Sequence, residues 1–193
     1  MGLAKSRSSA DSAAGFSLIE VLIATVLLAT ALVTLAQMFA LSTRTNMSAR
    51  NTTYTAVLAQ QKLEELRALT WGFDVQGLPV SDTTTNTAVS PETPNGGTGL
   101  APSPAGSLGA NTNGYVDYVG QFGDKLGGGP VPPGGAVYVR RWSVEPLPSN
   151  PNNTVILQVL VFRNRDRGTA DDGAGIVMPE EARLVTVKTR KSQ

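Results

Sequence analysis

The sequence predicts an α+β protein. One long N-terminal α-helix, with a membrane half and an amphipathic half, packs on a C-terminal antiparallel β-sheet of three to four strands. Three observations predict this. Residues 16–41 form an apolar run that holds one charge, Glu20. Residues 42–70 continue it with no Gly or Pro and carry an apolar stripe of helical period. Residues 136–193 contain three segments rich in β-branched residues, separated by turn chemistry.

The apolar run reads FSLIEVLIATVLLATALVTLAQMFAL. As a helix it is about 39 Å long at 1.5 Å per residue. A bilayer's hydrocarbon core is about 30 Å thick, so the run spans it with length to spare. Thr25, Thr30 and Thr34 can return their hydroxyls to carbonyls one turn back, which makes them tolerable in lipid. A cleaved secretory signal fits poorly. Its apolar region is about 7–15 residues long and ends in a small-residue site. Here the small residues Ala13, Ala14 and Gly15 precede the run, so a cut there leaves the apolar helix on the mature chain. Lys5 and Arg7 favour a cytoplasmic leader, although Arg44 and Arg50 beyond the span weaken that vote.

Glu20 is the only charge between Asp11 and Arg44. A charge at mid-bilayer costs roughly 2.5–3.5 kcal/mol on insertion scales, so it calls for a partner or a task.

In the amphipathic half, Tyr54, Leu58, Ala59, Leu63, Leu66 and Leu69 share one side, and Gln60, Glu64 and Arg67 lie opposite. Lys62 and Arg67 suit the negative helix end, and Gly72 is the expected stop signal. Residues 42–53 are rich in Ser, Thr and Asn and read as solvated helix. Residues 72–135 hold 15 of the 20 Gly and 8 of the 12 Pro. That composition leaves little to build a core and predicts a long mobile surface loop, with YVDYV (115–119) its one strand candidate. The three strands that follow are expected at 136–147, 154–163 and 182–190, with Trp142 between sheet and helix. Arg140 and Arg141 are expected on a strand edge, where charge deters edge pairing.

Composition excludes several classes. With no Cys and no His, the chain has no disulfide, no Cys/His metal site, no thiol chemistry and no Ser-His-Asp triad. Removal of residues 1–15 takes two bases and one acid from 16 and 15, leaving 14 of each sign. A near-neutral chain makes a broad nucleic-acid surface unlikely. Asp166, Asp171 and Asp172 lack EF-hand spacing and sit among Arg163, Arg165 and Arg167, which reads as a solvated loop, not a calcium site. GDKLGGGP (123–130) lacks the G-K-[ST] of a phosphate loop, and Glu64 and Glu65 point to different sides of a helix. No enzyme, cofactor or metal is expected.

GFSLIE over residues 15–20, behind a short basic leader and ahead of the long run, resembles the class III signal of type IV pilins and type II secretion pseudopilins. The resemblance implies that a membrane prepilin peptidase cuts after Gly15 and N-methylates Phe16. It implies that Glu20 is the assembly carboxylate, pairing with a Phe16 ammonium of its own or a neighbouring subunit. Such a pair, buried in a weakly polar medium, would set the register of an entering subunit. The implied partners are prepilin peptidase, other pilins or pseudopilins, and the inner-membrane assembly platform. The implied location is the bacterial inner membrane, then a periplasmic or extracellular filament. LAQQKLEELRAL (58–69) further resembles minor pilins of the PilV-like group and the I-type minor pseudopilin. Principal pilins commonly carry a proline in the membrane half; this chain has none there, which favours a minor subunit. The expected segments are a leader (1–15), a membrane and filament-core helix (16–41), an amphipathic extension (42–71), a variable loop (72–135) and a sheet region (136–193). The other readings are a plain single-pass anchor with a chance Glu20, and a membrane-anchored binding module that captures a surface, ligand or DNA through the loop or sheet.

Overall fold

A computed structural model describes residues 15–164 and 180–191. The expected leader, up to residue 14, and the segment with Asp166, Asp171 and Asp172 lie outside the described residues. The chain divides into two units, Met1–Asn46 and Met47–Gln193.

Helix α1 runs over Leu18–Ala68. In the first unit its side chains are exposed throughout. In the second, the predicted stripe is the buried one: Leu58, Ala59, Leu63, Leu66 and Leu69 enter the core, while Gln60, Glu64 and Arg67 stay exposed. The helix ends four residues before Gly72, which instead lies in strand β1 (Trp71–Phe73). Its end is closed from a distance: the Lys188 ammonium donates to the carbonyls of Leu66, Arg67 and Leu69. The first two are last-turn carbonyls, which lack a partner inside the helix, and the third lies just beyond its end.

The sheet has five antiparallel strands, more than the three or four expected. They are β3 (Val116–Val119), β4 (Lys125–Gly128), β5 (Tyr138–Pro146), β6 (Thr154–Arg163) and β7 (Ala182–Thr189). The order is β4-β3-β5-β6-β7, and β1 pairs separately with β2 (Pro79–Ser81). One sheet face meets the helix through Trp142, Val144, Val155, Leu157, Val159 and Val161. On the opposite face Val116, Tyr118, Val139, Leu160 and Phe162 form a second cluster, covered by Leu108, Leu126 and Ala136.

Segment 72–135 is not the loose loop its composition suggests. It supplies β3 and β4, and it buries Ala88, Leu100 and Tyr115. Polar groups hold it where apolar ones are scarce. The Asp82 carboxylate accepts from the backbone N–H of Thr84 and Thr85, at 3.1 and 3.0 Å, and from the Thr85 hydroxyl at 2.7 Å. Gly97 lies so close to its neighbours that a Cβ would fall 2.3 Å from the Asn86 Cα.

Two charge assignments need correction. Arg140 and Arg141 lie in the central strand β5, not at an edge, and both are buried. Lys62 does not serve the helix end; it is fully buried against the sheet. Arg140 faces Asp117 directly across the β3–β5 pair and grips it with two bonds, of 2.7 and 2.8 Å. The Lys62 ammonium reaches the same carboxylate at 3.0 Å. Its other protons go to the Thr87 carbonyl at 2.9 Å and the Thr87 hydroxyl at 2.7 Å. It also sits 3.9 Å from the centre of a Trp142 ring. Burial alone would push Asp117 up, but Lys62 and Arg140 outweigh it and hold the carboxyl below its ordinary 3.8. Burial pulls Lys62 below its ordinary value despite Asp117, whereas Asp117 holds Arg140 up against burial.

Asp117→Asn takes the paired anion from buried Arg140 and leaves buried Lys62 only Glu65, at 3.5 Å, and the expected loss is about 3–5 kcal/mol of unfolding free energy. A carboxyl depressed on folding stabilises above its unfolded value and loses that effect as pH falls through the folded one. Urea unfolding should therefore show a gap between wild type and variant that is constant near neutrality and narrows below about pH 3.8. Lys188→Met should cost about 1–2 kcal/mol in the same assay, with hydrogen exchange accelerated in the last turn of α1.

Candidate functional site

The candidate site is the start of α1. Gly15, Phe16 and Ser17 precede the helix, and Glu20 falls in its first turn. The Ser17 carbonyl accepts the first helical bonds, from the N–H groups of Glu20 at 3.0 Å and Val21 at 3.2 Å. Ser17 is thus the residue flanking the helix, and Glu20 is the third residue inside it. That is the S-x-x-E spacing of a capping box, a signal that the sequence carries at residues 17–20. A carboxylate at this position faces the positive end of the helix dipole.

Gly15 has open space around it: a Cβ added there meets nothing within 4 Å. Its φ is not among the positive ones either. The fold therefore gives no packing or backbone reason for glycine at this position. Phe16 is 83% exposed and Glu20 is exposed.

The rest of the first unit is suited to lipid. The helix is long and apolar enough to cross a membrane. The Thr25 hydroxyl donates to the Leu22 carbonyl at 2.9 Å, Thr30 to Leu27 at 2.8 Å, and Thr34 to Thr30 at 2.9 Å. These bonds remove the polar groups that lipid would leave unpaired. The structure thus gives the three threonines the role expected of them.

Little else among the described residues looks like a reaction centre. An open groove of about 770 Å³ lies beside the end of α1, lined by Glu64, Arg67, Trp71, Phe73, Lys188 and Lys191 among others. Its one carboxylate, Glu64, is bonded to Arg67 at 3.0 Å. Glu65 turns the other way, to Lys125 at 3.0 Å. The two glutamates do not form an acid–base pair. No group of three metal-type ligands occurs among the described residues.

Residues 11–36 match the family model of the prokaryotic N-terminal methylation motif. The match covers the four residues before Gly15, then Gly15, Phe16, Glu20 and most of the apolar run, and stops short of the globular unit. It supports a prepilin-type class III signal, and with it a pilin or pseudopilin subunit processed by prepilin peptidase. The motif and the apolar helix together are consistent with inner-membrane anchoring. No curated protein and no solved structure matches the chain.

Proposed function

We propose that the protein is a structural minor pilin or pseudopilin, assembled through its N-terminal helix into a type IV pilus or type II secretion pseudopilus. The observation that carries this reading is the methylation motif over 11–36 running into an unbroken apolar helix with a single acid near its start. In this reading residues 1–15 are the leader, residues 16–41 the membrane and filament-core segment, and residues 42–71 the extension that meets the sheet. Prepilin peptidase cuts after Gly15, a position where the fold itself has no use for glycine. The new N-terminus, Phe16, is methylated.

Glu20 then has two successive tasks. In the membrane it lies in the first turn of α1, where the helix dipole favours a carboxylate. During assembly it meets a Phe16 ammonium, its own or that of a neighbouring subunit. Phe16 and Glu20 are only four residues apart in the chain, so the two charges lie near one another at the helix start. An unmatched charge in the filament core costs several kcal/mol, so the pair selects one axial register. The resemblance of LAQQKLEELRAL to minor subunits, and the proline-free membrane half, support a low-copy position at or near the tip, or a part in starting assembly.

The N-terminal mass of protein recovered from cells tests the processing step. A chain beginning with N-methylated Phe16 is expected, and one still carrying Met1 overturns it. Glu20→Ala should insert and be cut normally but fall at least tenfold in sheared filaments, a loss of about 1.4 kcal/mol or more in incorporation. Normal incorporation of that variant removes the register role.

A further inference from the structure

Phe122 is the most exposed large apolar side chain among the described residues, at 91%. It sits at the tip of the β3–β4 hairpin, in a turn over residues 120–124. The Gly120 N–H donates to the Asp124 carbonyl at 2.9 Å, and the Gly123 N–H to the Gly120 carbonyl at 3.3 Å. Gly123 has φ +88, and a Cβ there would come 3.2 Å from the Tyr54 hydroxyl. The turn is therefore seated against α1 and presents Phe122 outward. Turn chemistry asks for small or polar residues at such a tip, not an aromatic ring. A ring held in water forgoes the burial from which aromatics usually gain.

Beside the tip is an open recess of about 340 Å³, lined by Met47, Arg50, Asn51, Tyr54, Gln121 and Tyr138. Tyr54 and Tyr138 lie 5.1 Å apart, ring to ring. Met47 and Arg50 are exposed. Apolar side chains, tyrosines and a guanidinium are the chemistry of the membrane–water interface. Arginine also matches phosphate geometrically. The nearest acid in the turn, Asp124, folds back over Gly120, its oxygens 2.4 and 2.6 Å from where a Gly120 Cβ would lie.

The chain itself supplies the occupant. Met47 follows Leu41, the end of the apolar run, by six residues, which even fully extended reach only about 20 Å. We propose that Phe122, Met47 and Arg50 form a lipid-docking surface, with Phe122 in the interface and Arg50 on a lipid phosphate, while the subunit waits in the membrane. This rests on the reading of residues 16–41 as the membrane segment.

The chain has no cysteine, so one reporter can be placed cleanly. Full-length Gln121→Cys carrying an environment-sensitive fluorophore is reconstituted in phosphatidylethanolamine–phosphatidylglycerol vesicles with headgroup-region spin-labelled lipid. Blue-shifted emission and quenching are expected. Both should be lost when Phe122→Ser is added and reduced when Arg50→Glu is added. The same label at Val75→Cys, on another exposed turn, should remain water-like. A water-like signal at 121 overturns the proposal. So does shielding that appears only as the protein-to-lipid ratio rises, which would assign the tip to a second copy. Flotation of the same samples reports anchoring separately, so a failed tip contact and a failed anchor are distinguishable.

Discussion

The Asp117 carboxylate is the point on which the globular unit turns. It joins three parts of the chain that sequence places far apart: Lys62 of α1, Arg140 of β5 and its own strand β3. Apolar packing between helix and sheet is tolerant of small shifts, because dispersion and burial are non-directional. A carboxylate shared by a two-pronged guanidinium and an ammonium is not tolerant. It fixes the height of α1 over the sheet at Lys62 and the β3–β5 register at Arg140. The geometry shows the division of labour. Arg140 grips Asp117 with two bonds, of 2.7 and 2.8 Å, and Lys62 with one of 3.0 Å. Lys62 is held further by Thr87, by Glu65 at 3.5 Å and by the face of Trp142.

From that centre the same device is repeated outward. Arg141 points to the opposite sheet face and donates to Asn111 at 2.9 Å and to the carbonyls of Leu108 and Gly109 at 3.1 and 2.7 Å. Arg190 lies 3.8 Å from the Trp71 ring and donates to the carbonyls of Gly72 and Val80. Lys125 reaches the Thr87 carbonyl at 3.0 Å. Each cation fastens a Gly- or Pro-rich stretch to the sheet through backbone oxygens. A segment poor in apolar side chains thus acquires a fixed course, because carbonyls are available at every residue whatever the composition.

This explains which features were legible in the sequence. The stripe on α1, strands β3, β5, β6 and β7, and the core position of Trp142 follow from periodicity and β-branched content, both of which are local. The methylation motif is local in the same way: Gly15, Phe16 and Glu20 lie within six contiguous residues inside the matched stretch 11–36. Strand β4 was hidden because Lys-Leu-Gly-Gly has neither alternation nor β-branched residues. The roles of Lys62, Arg140 and Arg141 were hidden more deeply. Charged residues are usually exposed, and only the facing of Asp117 with Arg140 across two strands shows otherwise. The order in 72–135 was missed with them, since those cations hold it.

The bond from Lys188 to the end of α1 spans about 120 residues of chain, as does the bond from Arg190 to Gly72. Synthesis starts at the N-terminus, so the helix terminus and the β1–β2 pair wait for Lys188 and Arg190, more than a hundred residues later, before they can be closed. Partial products emerging from the ribosome cannot lock into the finished tertiary arrangement, and closure of such distant contacts is slow in any case. A polypeptide of this design stays open at these places until Lys188 and Arg190 have been added. Its apolar leading segment is complete long before the contacts that finish the globular unit can form.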